Sequence, residues 1–227
     1  MKIGILVAME EEIKHLIEKL ESYKIHKVAN QIFYEGFIGE KAVCIVQSGI
    51  GKVNASIATT LLIERFKVNL IVNTGSSGAV KDGINVGDLV VSEKLAYHDV
   101  DNRVFEYDYG QIPQMPKFYE GDQILNDRIK EIAVNEKWKI HQGLIVSGDS
   151  FVSSYNQVDF IKKYFPTALA TEMEGAAVAQ TCYQFDIPCL VIRSVSDSAN
   201  EEAEIDFDDF VVLAGERSAQ LVLSLIN

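Results

Sequence analysis

The chain has 227 residues, of which 48% are apolar and 24% charged, and its formal net charge at pH 7 is −12. This is an ordinary globular composition, which argues against wholesale disorder or a collagen-like repeat. The acidic balance and the lack of basic clusters also argue against nucleic acid as a partner, because binding a phosphate backbone requires Lys and Arg to displace counterions.

Three further features of the sequence indicate where the protein is located and how many domains it has. No apolar run approaches the ~18–20 residues that a membrane-spanning helix needs, so no membrane partner is expected. The apolar run at residues 3–9 stops at three glutamates, which is unlike a signal peptide. Cys44, Cys182 and Cys189 lie in apolar sequence, as buried reduced thiols of a cytoplasmic protein do. We therefore expect one cytoplasmic domain over residues 1–227.

The N-terminal third predicts strands that alternate with helices. A buried strand is expected at residues 2–8, and an apolar stripe at helical spacing follows at residues 13–20. Two runs joined by a Gly-Glu turn, Gln31–Ile38 and Lys41–Gln47, predict a hairpin. A second helix is predicted over residues 53–62.

The remaining chain continues this alternation. Residues 68–73 predict a buried strand that ends in a Gly-rich turn, TGSSG at 74–78. Further elements are expected as strands at 87–95, 140–147 and 187–195, and as helices at about 122–136, 156–164, 174–185 and 207–225. Strands that are apolar throughout and alternate with helices predict a largely parallel sheet covered on both faces.

Residues 97–120 are the exception to the pattern. This segment has no period and contains six aromatic residues. Structureless segments of such length inside a compact domain are usually functional or interfacial, and disordered segments are poor in aromatics. We therefore expect a lid or a subunit contact here.

Glycine and polar residues cluster at the predicted strand ends. Ligands of open parallel sheets bind outside the carboxyl ends of the strands, so these clusters are the candidate binding residues. They occupy residues 8–12, 48–52, 73–78, 147–151, 172–175 and 193–197. The repetition is stronger evidence for a site than any one cluster.

The first and third clusters leave alternatives open. Glu10, Glu11 and Glu12 suit the first turn of a helix, where acids complement the helix dipole, and periodicity does not select the one that faces a cleft. TGSSG at 74–78 fits either an anion-binding turn or a turn that needs glycine for positive φ.

The last two clusters bring further charged groups. Glu174 is expected where a helix begins, and the helix dipole there favours an ionised carboxylate that accepts hydrogen bonds from hydroxyls. Arg193 and Asp197 share one face of a predicted strand, and a structural salt bridge between them is as plausible as a functional role. His98 and Asp99 lack a second histidine at ligand spacing, so no metal site is predicted.

Seven blocks in order and at matching spacing resemble the bacterial 5′-methylthioadenosine/S-adenosylhomocysteine nucleosidases. They are GILVAMEEE (4–12), SGIGKVNA (48–55), NTGSSGAV (73–80), YHDVD (97–101), VSGDSF (146–151), EMEGAAVA (172–179) and RSVSDSA (193–199). The resemblance implies an α/β fold, a three-layer α/β/α sandwich around a mixed, largely parallel sheet of the nucleoside phosphorylase type. It also implies hydrolysis of the bond between adenine and a 5′-thio-substituted ribose, with no metal or organic cofactor.

The resemblance assigns roles to individual residues. Glu12 matches the glutamate that activates water, and Asp197 matches the acid that protonates adenine at N7. Glu174 matches the acceptor for the ribose hydroxyls, and we expect Arg193 to face it rather than Asp197. The other substrate-binding matches are Ser76 and Met173 at the ribose, Phe151 and Val152 at adenine, Met9, Ile50 and Phe207 at the alkylthio group, and Gly78.

In the family a neighbouring subunit closes the pocket from the 97–120 segment. The matching residues here are Asn102, Phe105 and Pro113, so a homodimer with shared active sites is expected. Asn102 stands where relatives often carry a small apolar residue, which would make the far end of the pocket more polar. GSSGAV likewise replaces the common GSAGG.

Three alternative functions remain open. A purine nucleoside phosphorylase needs cationic groups around phosphate, and such enzymes tend to carry an arginine where this chain has Asn73. A hydrolase for another purine nucleoside, such as futalosine, would differ mainly in the 5′ pocket. A silent nucleoside-binding module is the third, and the intact Glu12, Glu174 and Asp197 argue against it.

Overall fold

Ten strands of the described residues form one mixed sheet in the computed structural model, which describes residues 1–199 and 203–226. The strands are β1 (Lys2–Val7), β2 (Glu21–Val28), β3 (Gln31–Ile38), β4 (Lys41–Gln47), β5 (Leu70–Ala79), β6 (Leu89–Tyr97), β7 (Tyr119–Glu120), β8 (Ile140–Ser147), β9 (Ala168–Glu172) and β10 (Cys189–Asp197). The helices are α1 (Glu10–Ile17), α2 (Lys52–Glu64), α3 (Gln123–Glu136), α4 (Tyr155–Tyr164), α5 (Gly175–Phe185) and α6 (Ala203–Ile226).

The sheet closes on itself at one end. Strands β5, β10, β6, β8 and β9 pair in a ring, because β5 bonds to both β10 and β9. From β5 the sheet continues through β1, β4, β3 and β2. Pairing is parallel between β1 and its two neighbours, between β5 and β10, and along β6–β8–β9, whereas β10–β6, β5–β9 and β4–β3–β2 are antiparallel.

Helices cover both faces of this sheet. Residues of α2 and α5, such as Leu62 and Val178, belong to one buried cluster with the strands. Residues of α1, α3 and α6, such as Leu16, Ile129 and Val222, belong to a second cluster. Burying aliphatic side chains of this size contributes about 1.5–3 kcal/mol each, which explains why the central strands are rich in aliphatic residues. The predicted α/β sandwich around a mixed sheet is confirmed.

Most predicted elements occur within a few residues of their expected bounds. The hairpin of Gln31–Ile38 and Lys41–Gln47 is confirmed to the residue. The three strands expected at 87–95, 140–147 and 187–195 correspond to β6, β8 and β10, of which β6 and β10 run two residues further. All three cysteines are free and buried. In the described part of the chain, no helix has both the length and the apolar character needed to cross a membrane.

The Gly-rich turn predicted at 74–78 is wrong. Strand β5 runs without a break from Leu70 to Ala79, and every one of its residues is buried. Thr74, Gly75 and Ser76 pair in register with residues of β10, and small side chains allow this close packing in the centre of the ring. Neither an anion-binding turn nor a tight turn is therefore present at these residues.

Besides the two-residue strand β7, two strands have no counterpart among the predictions. Strand β2 has mostly exposed residues, so it lacks the alternation of a half-buried strand. Strand β9 is only five residues long, too short for a periodic signal. Leu20 was expected at the end of the first helix, but that helix ends at Ile17, and Leu20 is buried beyond it.

The 97–120 segment is more ordered than the sequence predicted. It contains a 3₁₀ turn at Arg103–Phe105 and the short strand β7, which pairs with β6. Tyr109 and Tyr119 are buried within their own chain. Phe105 is 69% exposed and Val104 83% exposed, so the apolar tip of the segment has no cover within the described chain.

Candidate active site

A cavity of about 580 Å³ opens at the carboxyl ends of β1, β5, β9 and β10. The residues that were predicted to bind substrate within one chain all line it: Met9, Glu12, Ile50, Ser76, Gly78, Phe151, Val152, Met173, Glu174, Arg193, Asp197 and Phe207. The site therefore lies where ligands of parallel sheets bind.

Glu12 is the member of the acidic triplet that faces the cavity. It is buried at the third position of α1, whereas Glu10 is exposed. Glu12 Oε2 accepts the backbone N–H groups of Ala8 (2.9 Å) and Met9 (3.1 Å), which have no partner within the helix. Oε1 accepts the N–H (3.0 Å) and the hydroxyl (3.1 Å) of Ser76. The carboxylate is thus fixed by both α1 and β5.

Gly75 allows this approach of Glu12 to β5. A Cβ at this position would lie 2.5 Å from Glu12 Oε1 and 2.8 Å from Arg193 Nη1. Real Cβ atoms do not come so close, so any larger residue would displace both charged groups. The glycine of TGSSG therefore provides space for side chains inside a strand.

Arg193 joins the charged groups of the wall. Its guanidinium is buried and forms an ion pair with Glu172, and a weaker one with Glu174 at 3.4 Å. Nη2 also donates to Asn73 Oδ1 at 2.6 Å. Burial alone would lower the pKa of Arg193, but Glu172, Glu174 and Glu12 together raise it. The expectation that Arg193 faces Glu174 is confirmed, and Glu172 is its closer partner.

Glu172 is the functional residue that the predictions missed. Its carboxylate accepts the N–H groups of Glu174 (3.0 Å) and Gly175 (2.8 Å) and the hydroxyl of Ser147. These N–H groups belong to the first turn of α5 and would otherwise lack partners. Glu172 therefore caps α5, which leaves the side chain of Glu174 free to face the cavity. The cluster at 172–175 was the only sequence signal for it.

Glu174 lies where α5 begins, as predicted, but the helix start does not dominate its ionisation. Burial raises the pKa of the Glu174 carboxyl to about 7, although Arg193 lowers it, and the carboxylates of Glu172 and Glu12 raise it further. Glu174 Oε1 accepts the N–H of Gly51 at 2.8 Å. At neutral pH this carboxyl is therefore only partly ionised, because burial opposes the helix dipole that was expected to keep it ionised.

Asp197 lies at the end of β10, beside a bulge. Val195 pairs with Ser77 and Asp197 with Gly78, so Ser196 is the extra residue. Bulges of this kind redirect side chains and are frequent beside active sites. Asp197 Oδ1 accepts the N–H of Ala199 (2.8 Å), and the Ser196 hydroxyl lies 2.8 Å from Oδ2. Arg193 and Asp197 line the same cavity, as the shared strand face predicted.

The opposite wall of the cavity is apolar. Phe151 and Phe207 meet edge to face with ring centroids 5.7 Å apart. Met9, Ile50 and Val152 complete this wall, and Ile50 and Phe151 are about half exposed at its rim. One wall thus offers charged acceptors and the other offers ring surfaces.

Asn102, Phe105 and Pro113 do not line the cavity of their own chain. Asn102 is half-buried and donates to the carbonyl of Gln111 at 3.0 Å, and Phe105 and Pro113 are exposed. Among the described residues, no three His, Cys, Asp or Glu side chains are grouped so that they could hold a metal ion.

The chain matches the model of the phosphorylase superfamily over residues 2–227. Within it, the chain is 49% identical over 225 residues to a 5′-methylthioadenosine/S-adenosylhomocysteine nucleosidase of Staphylococcus aureus, covering 99% of each chain. The chain belongs to this family of nucleosidases, and the resemblance of the seven blocks is confirmed.

Solved structures agree with this assignment. The nucleosidase from S. pneumoniae with a transition-state inhibitor superposes with a TM-score of 0.97 at 45% identity, covering 100% of this chain and 98% of that chain. The futalosine hydrolase of Helicobacter pylori superposes with a TM-score of 0.96 at 37% identity, covering 99% and 97%. The fold is therefore shared by hydrolases that are named for different nucleosides. Any difference in substrate between them must lie in the residues of the cavity.

Proposed function

We propose that this protein hydrolyses the N-glycosidic bond of 5′-methylthioadenosine and S-adenosylhomocysteine, releasing adenine and the 5′-thio-substituted ribose. The observation that carries this proposal is that three buried carboxylates, Glu12, Glu174 and Asp197, line one cavity from three different elements. Such a reaction needs an acid for the leaving base, an activated water and acceptors for the sugar hydroxyls.

The chemistry divides between two of these carboxylates. Departure of adenine leaves positive charge on the ribose, so protonating the base and placing water opposite it both lower the barrier. Asp197 is the acid that donates to adenine N7, and Glu12 is the base that takes a proton from the attacking water. This division resembles the paired carboxylates of inverting glycosidases. No cofactor enters these steps.

Glu174 and Arg193 serve the ribose. The ionised Glu174 accepts hydrogen bonds from the sugar hydroxyls, and Arg193 holds it through the 3.4 Å contact. Ser76 is bonded to Glu12 and Met173 precedes Glu174, so both lie beside the sugar. The developing positive charge of the ribose is favoured by the surrounding carboxylates.

The apolar wall serves the two ends of the substrate. Phe151 stacks on adenine, while the backbone of Val152 meets its edge. Met9, Ile50 and Phe207 surround the alkylthio group. Gly78 leaves room at the acid, because a Cβ there would lie 2.8 Å from Asp197 Oδ1.

Water rather than phosphate is the favoured nucleophile. Among the described residues that line the cavity, Arg193 is the one cationic side chain, and Glu172 already neutralises it. Phosphorylases tend to carry an arginine where this chain has Asn73. The side chain of Asn73 accepts a hydrogen bond from Arg193 at 2.6 Å. A phosphate ion would therefore meet carboxylates instead of the cationic donors that it requires.

A homodimer with shared active sites completes the proposal. Phe105 and Val104 are exposed at the tip of the 97–120 segment, and Ile50, Val53 and Ile57 are exposed beside the cavity of the same chain. Apolar surface of this kind marks interaction sites. Asn102, Phe105 and Pro113 of one subunit then close the alkylthio end of the other subunit's cavity.

The remaining parts of the proposal concern context. The free, buried cysteines and the net charge of −12 support a reducing cytoplasmic location with no nucleic acid or membrane partner. The superfamily match over residues 2–227 supports one domain.

Release of the free purine base by the purified protein tests the function. Three substrates are compared with and without phosphate: 5′-methylthioadenosine and S-adenosylhomocysteine, which would release adenine, and futalosine, which would release hypoxanthine. We expect release of adenine from both thioadenosines at rates that do not depend on phosphate. Dependence on phosphate would identify a phosphorylase, preference for futalosine a different hydrolase, and no release from any substrate a binding module.

A further inference from the structure

Three loops at the open end of the sheet meet outside the cavity. They are residues 48–51 before α2, residues 98–101 after β6 and residues 148–154 after β8. Two of these loops each contribute an aspartate, Asp99 and Asp149. Both aspartates contact Lys52, the first residue of α2. None of the three belongs to the described residues that line the active-site cavity.

The contacts form a closed set that we name the loop clamp (Lys52, Asp99 and Asp149). Lys52 Nζ lies 2.7 Å from Asp99 Oδ2 and 3.6 Å from Asp149 Oδ2. The backbone N–H of Lys52 donates to Asp149 Oδ1 at 2.8 Å, and the N–H of Asp149 donates to Asp99 Oδ2 at 2.9 Å. Each loop is therefore bonded to the other two.

The residue before Lys52 makes contact with the active site. Gly51 donates its N–H to Glu174 Oε1 at 2.8 Å. Its φ is +98°, in the region that favours glycine, and a Cβ there would lie 3.1 Å from Asp149 Oδ1. Asp149 thus lies against the residue whose N–H contacts Glu174.

Asp149 also satisfies an N–H group at the start of α2. The N–H of Lys52, the first residue of α2, has no acceptor within the helix. Asp149 supplies this acceptor from a loop about a hundred positions further along the chain. This contact therefore fixes the position of Gly51 and of the start of α2 relative to the loop that follows β8.

We propose that Asp149 is a positioning residue, which with Lys52 and Asp99 holds the Gly51 N–H on the ribose-binding carboxylate of Glu174. The expected consequence of this positioning, tighter binding of the nucleoside, rests on the proposed function, whereas the positioning itself does not. The neighbouring base-binding residue Val152 is buried in an apolar cluster to which no residue of the loop clamp belongs. Loss of the clamp therefore weakens ribose contacts more than adenine contacts.

Asp149→Ala removes the acceptor, and Asp149→Asn keeps an oxygen for the Lys52 N–H. Asp82→Ala, which removes an exposed partner of Lys162, is the matched control. Because the Asp149 side chain is about half exposed, Asp149→Ala is expected to fold. Circular dichroism checks this, and Asp149→Asn keeps the test decisive if it does not.

Hydrogen exchange measures the clamp itself, without any substrate. We expect the Gly51 and Lys52 amides to exchange roughly tenfold faster in Asp149→Ala, since they lose a protecting contact, and to stay unchanged in Asp149→Asn and Asp82→Ala. Unchanged exchange in Asp149→Ala would overturn the proposal, whether or not the protein proves to be a nucleosidase.

Ligand binding and turnover measure the consequence. We expect kcat/KM for 5′-methylthioadenosine to fall roughly ten- to a hundredfold in Asp149→Ala, the range expected for one hydrogen bond to a charged group. The Kd of free adenine should change less than about threefold, and Asp149→Asn should recover most of the activity. An equal loss for adenine and nucleoside would show general disruption and overturn positioning.

The pH dependence separates positioning from mere stability. The groups that face Glu174 are Glu172 from β9, Arg193 from β10, Glu12 from α1 and the Gly51 N–H, of which Arg193 and Gly51 lower its pKa. Weakening the Gly51 contact should therefore move the acidic limb of nucleoside binding to higher pH in Asp149→Ala. If the acidic limb of Asp149→Ala lay at the same pH as that of the wild-type protein, and its kcat/KM were also unchanged, the proposal would be overturned.

Discussion

The charged wall of the cavity and the apolar rim around it differ in how completely one chain builds them. On the wall, Glu12, Glu172 and Arg193 are buried and each is bonded to at least two elements. At the rim, Phe151 and Ile50 are about half exposed, and Phe105 is 69% exposed at the tip of a distant segment. The groups proposed for the chemistry are therefore fixed within the subunit, whereas the proposed contacts to the 5′ end of the substrate require a second one.

Asp197→Asn tests the wall with the largest expected effect. The amide cannot donate an acidic proton to adenine, so turnover should fall by about 10²–10⁴-fold, the usual range for a general acid. Binding of adenine should remain measurable by calorimetry, since the shape is kept. An Asp197→Asn protein with wild-type turnover would remove this residue from the mechanism.

Glu12→Gln tests the other half of the chemistry. The amide keeps most of the shape but cannot take a proton from water, so kcat should fall roughly a hundredfold or more with little change in affinity. Glu10→Gln is the matched control, because Glu10 is exposed on the same turn and should leave kcat unchanged. If Glu10→Gln lost activity instead, the assignment within the triplet would be wrong.

Phe105→Ala tests the rim, with a smaller and more selective effect. Burying a large apolar side chain against the alkylthio tail contributes about 1.5–3 kcal/mol, so affinity for 5′-thio-substituted nucleosides should fall roughly ten- to a hundredfold. Adenosine, which lacks the tail, is the control ligand and should lose much less. Equal losses for both ligands would show that Phe105 does not reach the tail.

Mixing variants tests whether the sites are shared between subunits. A dimer of one Phe105→Ala chain and one Asp197→Asn chain would contain one site with both defects and one with neither. Activity should therefore reappear on mixing, measured as adenine release after heterodimers are confirmed. No recovery in proven heterodimers, or an active monomer in solution, would rule out the shared-site arrangement.

The same comparison explains what the sequence could predict. Every residue of this chain that the resemblance placed in the binding site lines the cavity. The resemblance could find them because the strand-end clusters are recognisable by their order and spacing. It gave no role to Glu172 or Asn73, since their contact with Arg193 exists only after β5, β9 and β10 come together in the closed ring.

Local sequence was misleading where tertiary packing decides. Gly75, Ser76 and Ser77 have the composition of a turn, but they lie in the centre of β5 because Glu12 and Arg193 occupy the space that larger side chains would fill. Strand β2 escaped prediction because its residues are mostly exposed and pair only with β3 at the edge of the sheet. The loop clamp likewise depends on three distant loops.

The pH dependence of binding is the smallest and most specific test of the charged wall. Because the pKa of Glu174 is raised to about 7, this group is ionised above that pH and protonated below it. Ribose hydroxyls donate to the ionised form, so nucleoside affinity should be nearly full at about pH 8 and should approach a roughly tenfold fall for each pH unit below about 6. Free adenine, which does not contact Glu174, should lack this slope. The ratio of the two affinities cancels any titration at Asp197, which both ligands contact. Glu174→Gln should abolish the slope in the ratio, and a ratio that stays constant from pH 8 to pH 5.5 in the wild-type protein would contradict this role.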